Sequence, residues 1–465
     1  MHVARRIRVF DTGSNRHLLC NALTGEILVL SDAGLRLLDA LARGEPAACD
    51  SSVVEQWKRK SILFDAPEEE ERQFVELCRK SWIEFQRSAP RQYTFVVNTH
   101  CNFECGYCFE KAYDLPTRTL SIEQVDAAFA VLDRFSKNRR QTGGAQYELF
   151  GGEPLLPGSR HIVDYLLARI GDRGGKASIQ TNGYHLSSFV DLIAAHRNSV
   201  SQVQVTLDGP RNIHDRRRVR KGGQPTFDQV VSGIDALTRK ELPLRINVRM
   251  NVDRRNVDYL ADMAAVYDEK GWTKNPHFAF VAAPVDNRCG KLSGPDALMG
   301  WHELFERVFP LSTDLGGGPF DLSVFKTASY FRYYVQAARE SLAMGKHFAP
   351  EFIPKVLYCE AAGLKLFAFH PDGRIYPCPE AIGTEALAIG VYHPAFHIDR
   401  GRARRWRHQT ILNRARCRTC DISTFCGGGC VLTALMANGS MSEPVCENAA
   451  DVMQCYFEKI GATSG

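Results

Sequence analysis

Three cysteines lie close together after a predicted strand, and their spacing suits a metal cluster. Cys101, Cys105 and Cys108 form a CxxxCxxC series directly after the apolar run 93–98. Thiolates are soft ligands that favour iron–sulfur clusters or zinc over hard cations. Three cysteines leave one iron of a cubane open to an amine and a carboxylate, whereas a structural zinc site takes four protein ligands. We therefore predict an iron–sulfur cluster here, with a zinc knuckle as the alternative.

A second group of cysteines lies near the end of the chain. It comprises Cys417, Cys420, Cys426, Cys430 and Cys446, with Cys359 and Cys378 upstream and Cys455 beyond it without an assigned role. The surrounding segment has many loops and few apolar runs, and such segments usually need metal to hold them together. We expect these cysteines to bind metal, with a zinc ribbon as the alternative to iron–sulfur clusters.

Length and composition predict a globular protein of more than one domain. At 465 residues the chain exceeds the size at which a single core stops growing, so two or three packed units are expected. It has neither a membrane-length apolar run nor a secretory signal at its N-terminus. We therefore expect a soluble, cytoplasmic protein without a membrane partner and without disulfides. The net charge of +5 is too small to favour a nucleic-acid partner.

Elements that could position the first cysteine group follow one another from residue 92 onward. The predicted strands are 93–98, 146–150, 177–180, 203–207, 244–250 and 278–282, and the predicted helices between them are 121–138, 159–170, 187–197, 226–240 and 256–270. Predicted helix N-caps are Ser121, Ser159, Ser187 and Thr226. This alternation predicts an α/β fold, either a partial (β/α)6 barrel or a doubly wound open sheet. In both architectures active-site residues lie at the C-terminal ends of the strands.

The flanking regions have different patterns, and we divide the chain into four parts. Predicted strands 7–10, 17–20 and 26–30 and helices 33–42 and 53–60 make a winged-helix-like unit at the N-terminus, and an aromatic-rich helix is predicted over 325–344. The predicted domains are 1–88 (winged-helix-like), 89–310 (barrel), 311–358 (helical bridge) and 359–465 (cysteine-rich).

The first cysteine group resembles that of radical SAM enzymes, and the resemblance covers about residues 92–285. In that family CxxxCxxC follows the first strand, with an aromatic residue, here Tyr107, before the third cysteine. Gly151-Gly152-Glu153-Pro154 matches the GGEP motif after the second strand, whose backbone and carboxylate bind the amino group of S-adenosylmethionine (SAM). The resemblance implies that one electron from a 4Fe–4S cluster cleaves SAM to a 5'-deoxyadenosyl radical, which abstracts hydrogen from a substrate.

Further residues match positions at which relatives contact SAM. The resemblance assigns SAM binding to Gly151, Gly152, Glu153, Pro154, Asn182, Thr206, Asp208 and Arg218. For the candidate residues that follow the GGEP motif, the alternative is a structural role in a turn or a helix cap. The resemblance identifies no catalytic acid or base.

The later cysteines resemble the SPASM extension of radical SAM proteins, which commonly holds two auxiliary 4Fe–4S clusters. Carried over by position, the first auxiliary cluster would be bound by Cys359, Cys378 and Cys430. The second auxiliary cluster would be bound by Cys417, Cys420, Cys426 and Cys446. Some relatives have another cysteine shortly before the position of Cys359, and this chain has none. The first auxiliary cluster would then have an open iron or a distant ligand such as Cys289. Three 4Fe–4S clusters are expected in all.

Residues 18–34 resemble the small chaperone of pyrroloquinoline-quinone biosynthesis and the related RiPP recognition elements, where a strand edge captures a leader peptide. A winged helix that only packs on the barrel, or contacts nucleic acid, is the alternative. The resemblance therefore implies a maturase of a ribosomally made precursor peptide that installs a thioether or carbon–carbon crosslink. An electron donor such as flavodoxin or ferredoxin would supply the electron. The alternatives are an anaerobic sulfatase-maturing enzyme that forms formylglycine and, as a non-enzyme, an electron-transfer or regulatory protein.

Overall fold

The computed structural model describes residues 1–11, 16–45, 50–113, 115–136, 144–287, 297–313, 317–325, 353–446 and 448–462. The chain forms two compact units. The first comprises residues 1–86, 325–359 and 409–465, and the second comprises residues 87–324 and 360–408. In the described residues no helix is both long and apolar enough to cross a membrane.

The N-terminal part of the first unit contains the predicted strands and helices. Its strands are β1 (His2–Val3), β2 (Ile7–Asp11), β3 (Arg16–Asn21), β4 (Ile27–Ser31) and β5 (Leu63–Phe64), and its helices are α1 (Asp32–Ala42), α2 (Ser51–Arg59) and α3 (Pro67–Ser88). Strands β2, β3 and β4 form an antiparallel sheet in that order, and β1 pairs with β5. Helix α3 was not predicted, because its charged first turns obscure the apolar periodicity.

The second unit contains all six predicted barrel strands. They are β6 (Arg91–Asn98), β7 (Ala145–Gly151), β8 (Ala177–Thr181), β9 (Val200–Thr206), β10 (Arg245–Val252) and β11 (Phe278–Pro284), parallel and adjacent in sequence order. A doubly wound sheet reverses its strand order at a switch point, and this sheet does not. The partial barrel is therefore confirmed and the open-sheet alternative is wrong.

Helices connect these strands. They are α4 (Ile122–Ser136), α5 (Arg160–Gly171), α6 (Leu186–Ala195), α7 (Arg211–Arg217), α8 (Phe227–Thr238) and α9 (Leu260–Glu269), and α10 (Trp301–Val308) follows the last strand. Helix α7 was not predicted. Alternate strand residues pack toward the helices: Phe95 is fully buried and its ring stacks on Phe129 of α4 at 5.3 Å between centroids. The residues between them form the opposite side of the sheet, which we call the inner face.

Three of the four predicted N-cap residues lie at the N-cap position of their helix, and one of them, Ser121, also caps through its side chain. Ser121 Oγ accepts a hydrogen bond from Gln124 N at 3.2 Å, and Gln124 Oε1 accepts one from Ser121 N at 3.1 Å, which is a capping box. Ser159 and Thr226 are the N-cap residues of α5 and α8 but make no side-chain cap bond, and the prediction for Ser187 is wrong because Ser187 lies inside α6. The tertiary contacts of the first two explain this, since Ser159 Oγ accepts from Asn98 and the Thr226 hydroxyl donates to the Arg218 carbonyl.

Residues after the barrel strands extend its sheet. Strand β12 (Leu366–Phe369) pairs in parallel with β6, and β13 (Arg374–Tyr376), β14 (Gly390–Val391) and β15 (His397–Ile398) continue it antiparallel. Helix α11 (Arg400–Arg407) follows. Residues 360–408 thus join the barrel unit, although the sequence grouped them with the rest of 359–465. The four-part division stays a prediction, because one compact unit can combine segments of several domains.

The C-terminal segment packs with the N-terminal strands inside the first unit. Its helices are α12 (Ala415–Arg418), α13 (Ser423–Cys426), α14 (Val431–Asn438) and α15 (Ala449–Ala462). The rings of Phe10 and Phe457 lie 5.0 Å apart, and the Thr424 hydroxyl donates to the Ala22 carbonyl at 2.7 Å. The predicted helix 325–344 lies outside the described residues except for its first residue.

Candidate active site

The first cysteine group lies on the loop that follows β6. Cys101 Sγ accepts hydrogen bonds from Phe103 N at 3.3 Å and from Asn182 Nδ2 at 3.5 Å, which joins this loop to the end of β8. Burial raises the pKa of Cys101 to about 12 and that of Cys108 to about 11, and the nearby Cys105 thiol adds to both shifts. The three thiols are thus close enough to interact electrostatically. In such a site a bound metal cation would stabilise the thiolates.

The three thiols are neighbours, but their side chains do not converge on one point. In the described part of the chain no three His, Cys, Asp or Glu side chains converge as tightly as a bound metal ion requires. The prediction of a cluster at this loop therefore depends on the ligand chemistry of its cysteines and on the loops around them.

The loop after β7 lies directly against the cysteine loop. Gly152 N donates to the Asn98 carbonyl and Glu153 N to the His100 carbonyl, both at 3.0 Å. A Cβ on Gly151 would lie 2.3 Å from Asn98 O, and one on Gly152 would lie 2.3 Å from His100 O. The two glycines of the predicted GGEP motif are therefore required by the close approach of two backbones.

The Glu153 carboxylate is used inside the protein. It is 1% exposed, and it accepts hydrogen bonds from the Thr181 hydroxyl and Asn182 N, both at 2.6 Å, and from Leu155 N at 2.8 Å. It therefore ties the end of β7 to the end of β8. The neighbouring Pro154 is also buried. The roles of both residues in binding SAM stay predictions.

Asp208, directly after β9, is the centre of a buried polar network. Its Oδ2 accepts a hydrogen bond from the Tyr107 hydroxyl, and its Oδ1 accepts one from Asn251 N at 2.9 Å. The Tyr107 oxygen accepts from Arg218 Nη1 at 2.5 Å. Burial raises the pKa of Tyr107 well above its usual value, so that it stays a donor to Asp208. The network thus fixes the cysteine loop to the ends of two strands.

Two arginines and two aspartates balance their charges here. Arg217 donates to both oxygens of Asp253 at 2.8 and 2.9 Å, and Asp208 Oδ2 lies 3.9 Å from both Arg217 Nε and Arg218 Nη1. All four side chains are less than a tenth exposed. Sequence analysis missed the second pair, Arg217 and Asp253, although the position of Asp253 just after β10 was a usable signal.

His214 and Asp215 have structural roles in the same loop. His214 is fully buried, its Nδ1 accepts from Asp208 N at 3.2 Å, and its Nε2 lies 3.1 Å from the Thr226 hydroxyl. Burial, with smaller effects of two arginines, lowers its pKa well below the usual value, so it is neutral. Asp215 Oδ1 accepts from Thr226 N and Phe227 N, both at 2.8 Å, and so caps α8.

A model of the radical SAM superfamily matches residues 95–265, which contain the cysteine loop, the GGEP motif and the polar network around Asp208. The chain contains a radical SAM domain. The antilisterial bacteriocin subtilosin biosynthesis protein AlbA of Bacillus subtilis is 24% identical to it over 383 residues, 78% of this chain and 73% of AlbA. A probable GTP 3',8-cyclase of Pyrobaculum aerophilum is 27% identical over 176 residues, 37% of this chain and about half (53%) of that protein.

Two solved structures share the fold. The anaerobic sulfatase-maturating enzyme anSMEcpe, with bound SAM and a peptide, superposes with a TM-score of 0.56 at 16% identity, over 81% of this chain and 99% of its own. Streptococcus suis SuiB bound to its precursor peptide SuiA superposes with a TM-score of 0.51 at 15% identity, over 95% of this chain and 98% of its own. At such low identity these likenesses establish the architecture, including the cysteine-rich C-terminal region, and nothing finer.

The match to the radical SAM model implies a 4Fe–4S cluster and SAM, and polar atoms that such ligands could contact lie at this edge. Buried nitrogen atoms without a hydrogen-bond partner among the described residues lie on its loops: His100 Nδ1, Asn102 Nδ2, Arg218 Nε and Arg220 Nε. Buried polar groups are normally paired, so these atoms indicate a missing partner. These atoms, the three cysteine thiols and the close approach of the Gly151-Gly152 backbone to the cysteine loop together fit a 4Fe–4S cluster and SAM. Asn182 and Thr206 lie at the same edge.

The second cysteine group is brought together in the first unit. Burial raises the pKa of Cys417 to about 12, and the nearby thiols of Cys426, Cys420 and Cys446 add to the shift. These four thiols are therefore neighbours. Cys359 and Cys430 lie in the same unit, whereas Cys378 belongs to the second unit. Cys289 lies outside the described residues. The assignment of these residues to clusters stays a prediction.

Arg414 lies among these thiols and was not singled out from the sequence. It is 1% exposed, and its guanidinium donates to three carbonyls, those of Gly428, Gly429 (3.2 Å) and Met441 (2.6 Å). Burial lowers its pKa, while four cysteine thiols, those of Cys417, Cys430, Cys426 and Cys359, act to raise it. Carbonyls do not neutralise a buried cation. Thiolates bound to a cluster would do so.

Proposed function

We propose that the protein is a radical SAM maturase of a ribosomally made precursor peptide, in which it installs a thioether or carbon–carbon crosslink. The observation that carries the proposal is the packing of the cysteine loop against the GGEP glycines in a chain that matches AlbA over most of both lengths. A 4Fe–4S cluster and SAM supply, when bound, a one-electron cleavage that yields a carbon radical able to take hydrogen from an unactivated carbon.

The residues of the radical SAM domain have separable roles in this proposal. Cys101, Cys105 and Cys108 bind the cluster. Gly151 and Gly152 allow the GGEP loop to pack against the cysteine loop, where its backbone binds SAM together with Glu153 and Pro154. The side chains after the GGEP motif, among them Asn182, Thr206, Asp208 and Arg218, bind or orient SAM, directly or by fixing the loops. These loops would exclude water from the reacting groups.

Two auxiliary 4Fe–4S clusters complete the proposed set of three. Cys417, Cys420, Cys426 and Cys446 would bind one, and their mutual electrostatic influence supports this. Cys359, Cys378 and Cys430 would bind the other. An external one-electron donor such as flavodoxin or ferredoxin would reduce them. A reducing compartment such as the cytoplasm would keep these thiols available to bind the clusters.

Replacing Arg414 with methionine is expected to lower the reduction potential of an auxiliary cluster. Reduction adds negative charge to the cluster, and the variant removes a buried positive charge that stabilises the reduced form. A redox titration followed by electron paramagnetic resonance, with iron content measured alongside, checks this. Arg414→Lys keeps the positive charge, so the reduction potential should stay close to that of the wild type.

Arg416→Met is the matched control for this prediction. Arg416 lies two residues away and is exposed, so solvent screens its charge. An equal shift of the reduction potential in Arg414→Met and Arg416→Met, or no shift in either variant, would show that the buried charge does not act on a cluster.

The edge strand β4 is the proposed binding site of the leader peptide. The sheet order β2-β3-β4 places it at one side, and no further strand pairs with it among the described residues. At the opposite edge α15 packs on β2, and Gln454 of that helix donates to the carbonyl of Asp11, the last residue of β2, at 3.0 Å. Val29 on β4 is 44% exposed and offers an apolar contact. A leader that adds a strand here would bind through its backbone and pack an apolar side chain on Val29.

We expect Val29→Asp to weaken binding of the leader peptide about tenfold, because it places a charge against an apolar contact. Fluorescence anisotropy with peptides from short reading frames adjoining the gene measures this. Ile122→Asp is the control: Ile122 is 45% exposed on α4 of the other unit, and its replacement should leave leader binding unchanged. Equal affinities in both variants would remove β4 from the proposal. Deleting the N-terminal residues is a less suitable test of leader binding, because residues 1–86 pack with residues 409–465.

The second candidate function is that of a sulfatase-maturing enzyme, because a cysteine-type anaerobic sulfatase-maturating enzyme of Clostridium novyi is 21% identical over 376 residues, 78% of this chain and 93% of its own length. Mass spectrometry of the peptide after anaerobic reaction separates the two. A crosslink removes hydrogen only, whereas formylglycine made from cysteine also exchanges sulfur for oxygen. Modification of a sulfatase-derived peptide, with none of the adjoining precursor, would replace the proposed function by the alternative.

A further inference from the structure

A row of polar side chains crosses the inner face of the barrel, apart from the cysteine loop. It comprises Thr94, Glu148, Gln180, Gln204 and Asn247, one from each of β6 to β10. Asn247 donates to Gln204 at 3.2 Å, Gln204 donates to Gln180 at 3.2 Å, and Gln180 donates to Glu148 Oε1. Thr94 donates to Glu148 Oε2 at 2.9 Å. All donors of the row therefore point toward one carboxylate.

The Glu148 carboxylate has only neutral partners. Desolvation by the surrounding protein raises its pKa, and the hydrogen bonds from Thr94 and Gln180 counteract only part of the shift. Within the described residues it forms no ion pair. A carboxylate in a low-dielectric site with neutral donors alone is stabilised strongly by an added cation. Glu148 is also partly exposed, so a ligand can reach it.

An open cavity of about 290 Å³ adjoins this carboxylate at the N-terminal ends of the strands. Its walls include Thr94, Glu148, Ser178 and Ser201, with Lys176 at its exposed rim, where solvent screens the lysine charge. At the other end of the row, Asn247 Oδ1 is buried and has no hydrogen-bond partner among the described residues. Each oxygen of Glu148 thus accepts only one hydrogen bond, and in the part of the chain that the structure describes no buried cation lies beside it.

We propose that Glu148 binds a cationic side chain of the peptide substrate, the ammonium of a lysine or the guanidinium of an arginine. Such groups carry hydrogen-bond donors and no acceptors, which matches the unused acceptors of the row. Glu148 lies four residues before Gly152, about 13 Å along an extended strand. A side chain bound there would therefore anchor the peptide at the end of the barrel opposite the cysteine loop. The inference rests on the proposed function, since it names a residue class of the peptide.

The test measures binding of two small probes to the reconstituted full-length protein. The probes are Nα-acetyl-L-lysine N-methylamide and its norleucine counterpart, which has the same stem and no charge, and saturation-transfer NMR gives both affinities. The wild type should prefer the lysine probe at least about tenfold, the effect of one charge-assisted hydrogen bond. Glu148→Gln should lose this preference, and Glu148→Asp should keep most of it because it keeps the charge.

Glu123→Gln is the matched control, since Glu123 is an exposed carboxylate of α4 and should leave the preference intact. Circular dichroism and iron content verify that each variant folds. Equal binding of the two probes by the wild type, or a preference that survives in Glu148→Gln, would overturn the proposal. SAM cleavage by the wild type without peptide reports on the proposed function separately, so the two failures are distinguishable.

Discussion

Replacing Cys101, Cys105 and Cys108 together with alanine is expected to abolish formation of 5'-deoxyadenosine from SAM. These three thiols share one loop at the C-terminal edge of the sheet, and the resemblance to the family assigns the SAM-binding cluster to them. The later cysteines lie elsewhere in the chain, and no open iron beside the GGEP glycines would remain. Chromatography of anaerobic reactions with a chemical reductant measures the product, and no product above the background without enzyme is expected.

A cysteine outside both groups provides the control for this experiment. Cys78 is buried in α3, and burial raises its pKa to about 12, so it is a protonated thiol. Cys78→Ala should keep SAM cleavage. Continued cleavage by the triple variant in a folded protein would refute the assignment of the cluster to the loop after β6, and with it the proposed function.

Asp208→Asn is expected to destabilise the protein by about 3–5 kcal/mol, the usual consequence of leaving a buried charge uncompensated. Asp208 and Asp253 together balance Arg217 and Arg218, and all four side chains are nearly inaccessible to solvent. Asparagine preserves the shape and leaves one positive charge in excess. It also weakens the acceptor of the Tyr107 hydroxyl, which holds the cysteine loop. Chemical denaturation followed by circular dichroism measures the free energy of unfolding.

Asp228→Asn is the corresponding control. Asp228 pairs with Arg211, and both side chains are more than half exposed, where ion pairs contribute about 0–1 kcal/mol. We expect this variant to unfold close to the wild-type midpoint. If both variants lost the same stability, the buried quartet of charges would have no special role in fixing the cysteine loop.

The distribution of roles at this edge also bears on the mechanism. Glu153 and His214 are occupied by hydrogen bonds within the protein, and Asp215 caps a helix. These residues position the loops of the radical SAM domain. The buried nitrogen atoms of His100, Asn102 and Arg218 that lack partners are the groups available to a ligand. Residues of one motif can therefore differ in function, according to which atoms the fold has already paired.

The amino-acid sequence by itself determined the six barrel strands, their parallel arrangement and the edge that carries the cysteine loop. Strand runs and capping residues are local signals, and parallel strands bring their C-terminal ends to one edge regardless of detail. The cysteine spacing and GGEP motif also identified the family that the match to residues 95–265 confirms. The sequence did not predict α3 and α7, because their apolar positions are too few or too interrupted to give a periodic signal.

Only the tertiary structure decided which distant side chains meet. The Tyr107–Asp208 bond joins residues 101 positions apart, Arg414 lies among thiols contributed by several loops, and β12 joins the barrel beside β6. The row that ends at Glu148 depends on the stagger of five strands. Such pairings follow from strand register and chain crossing, which local propensity and periodicity do not encode.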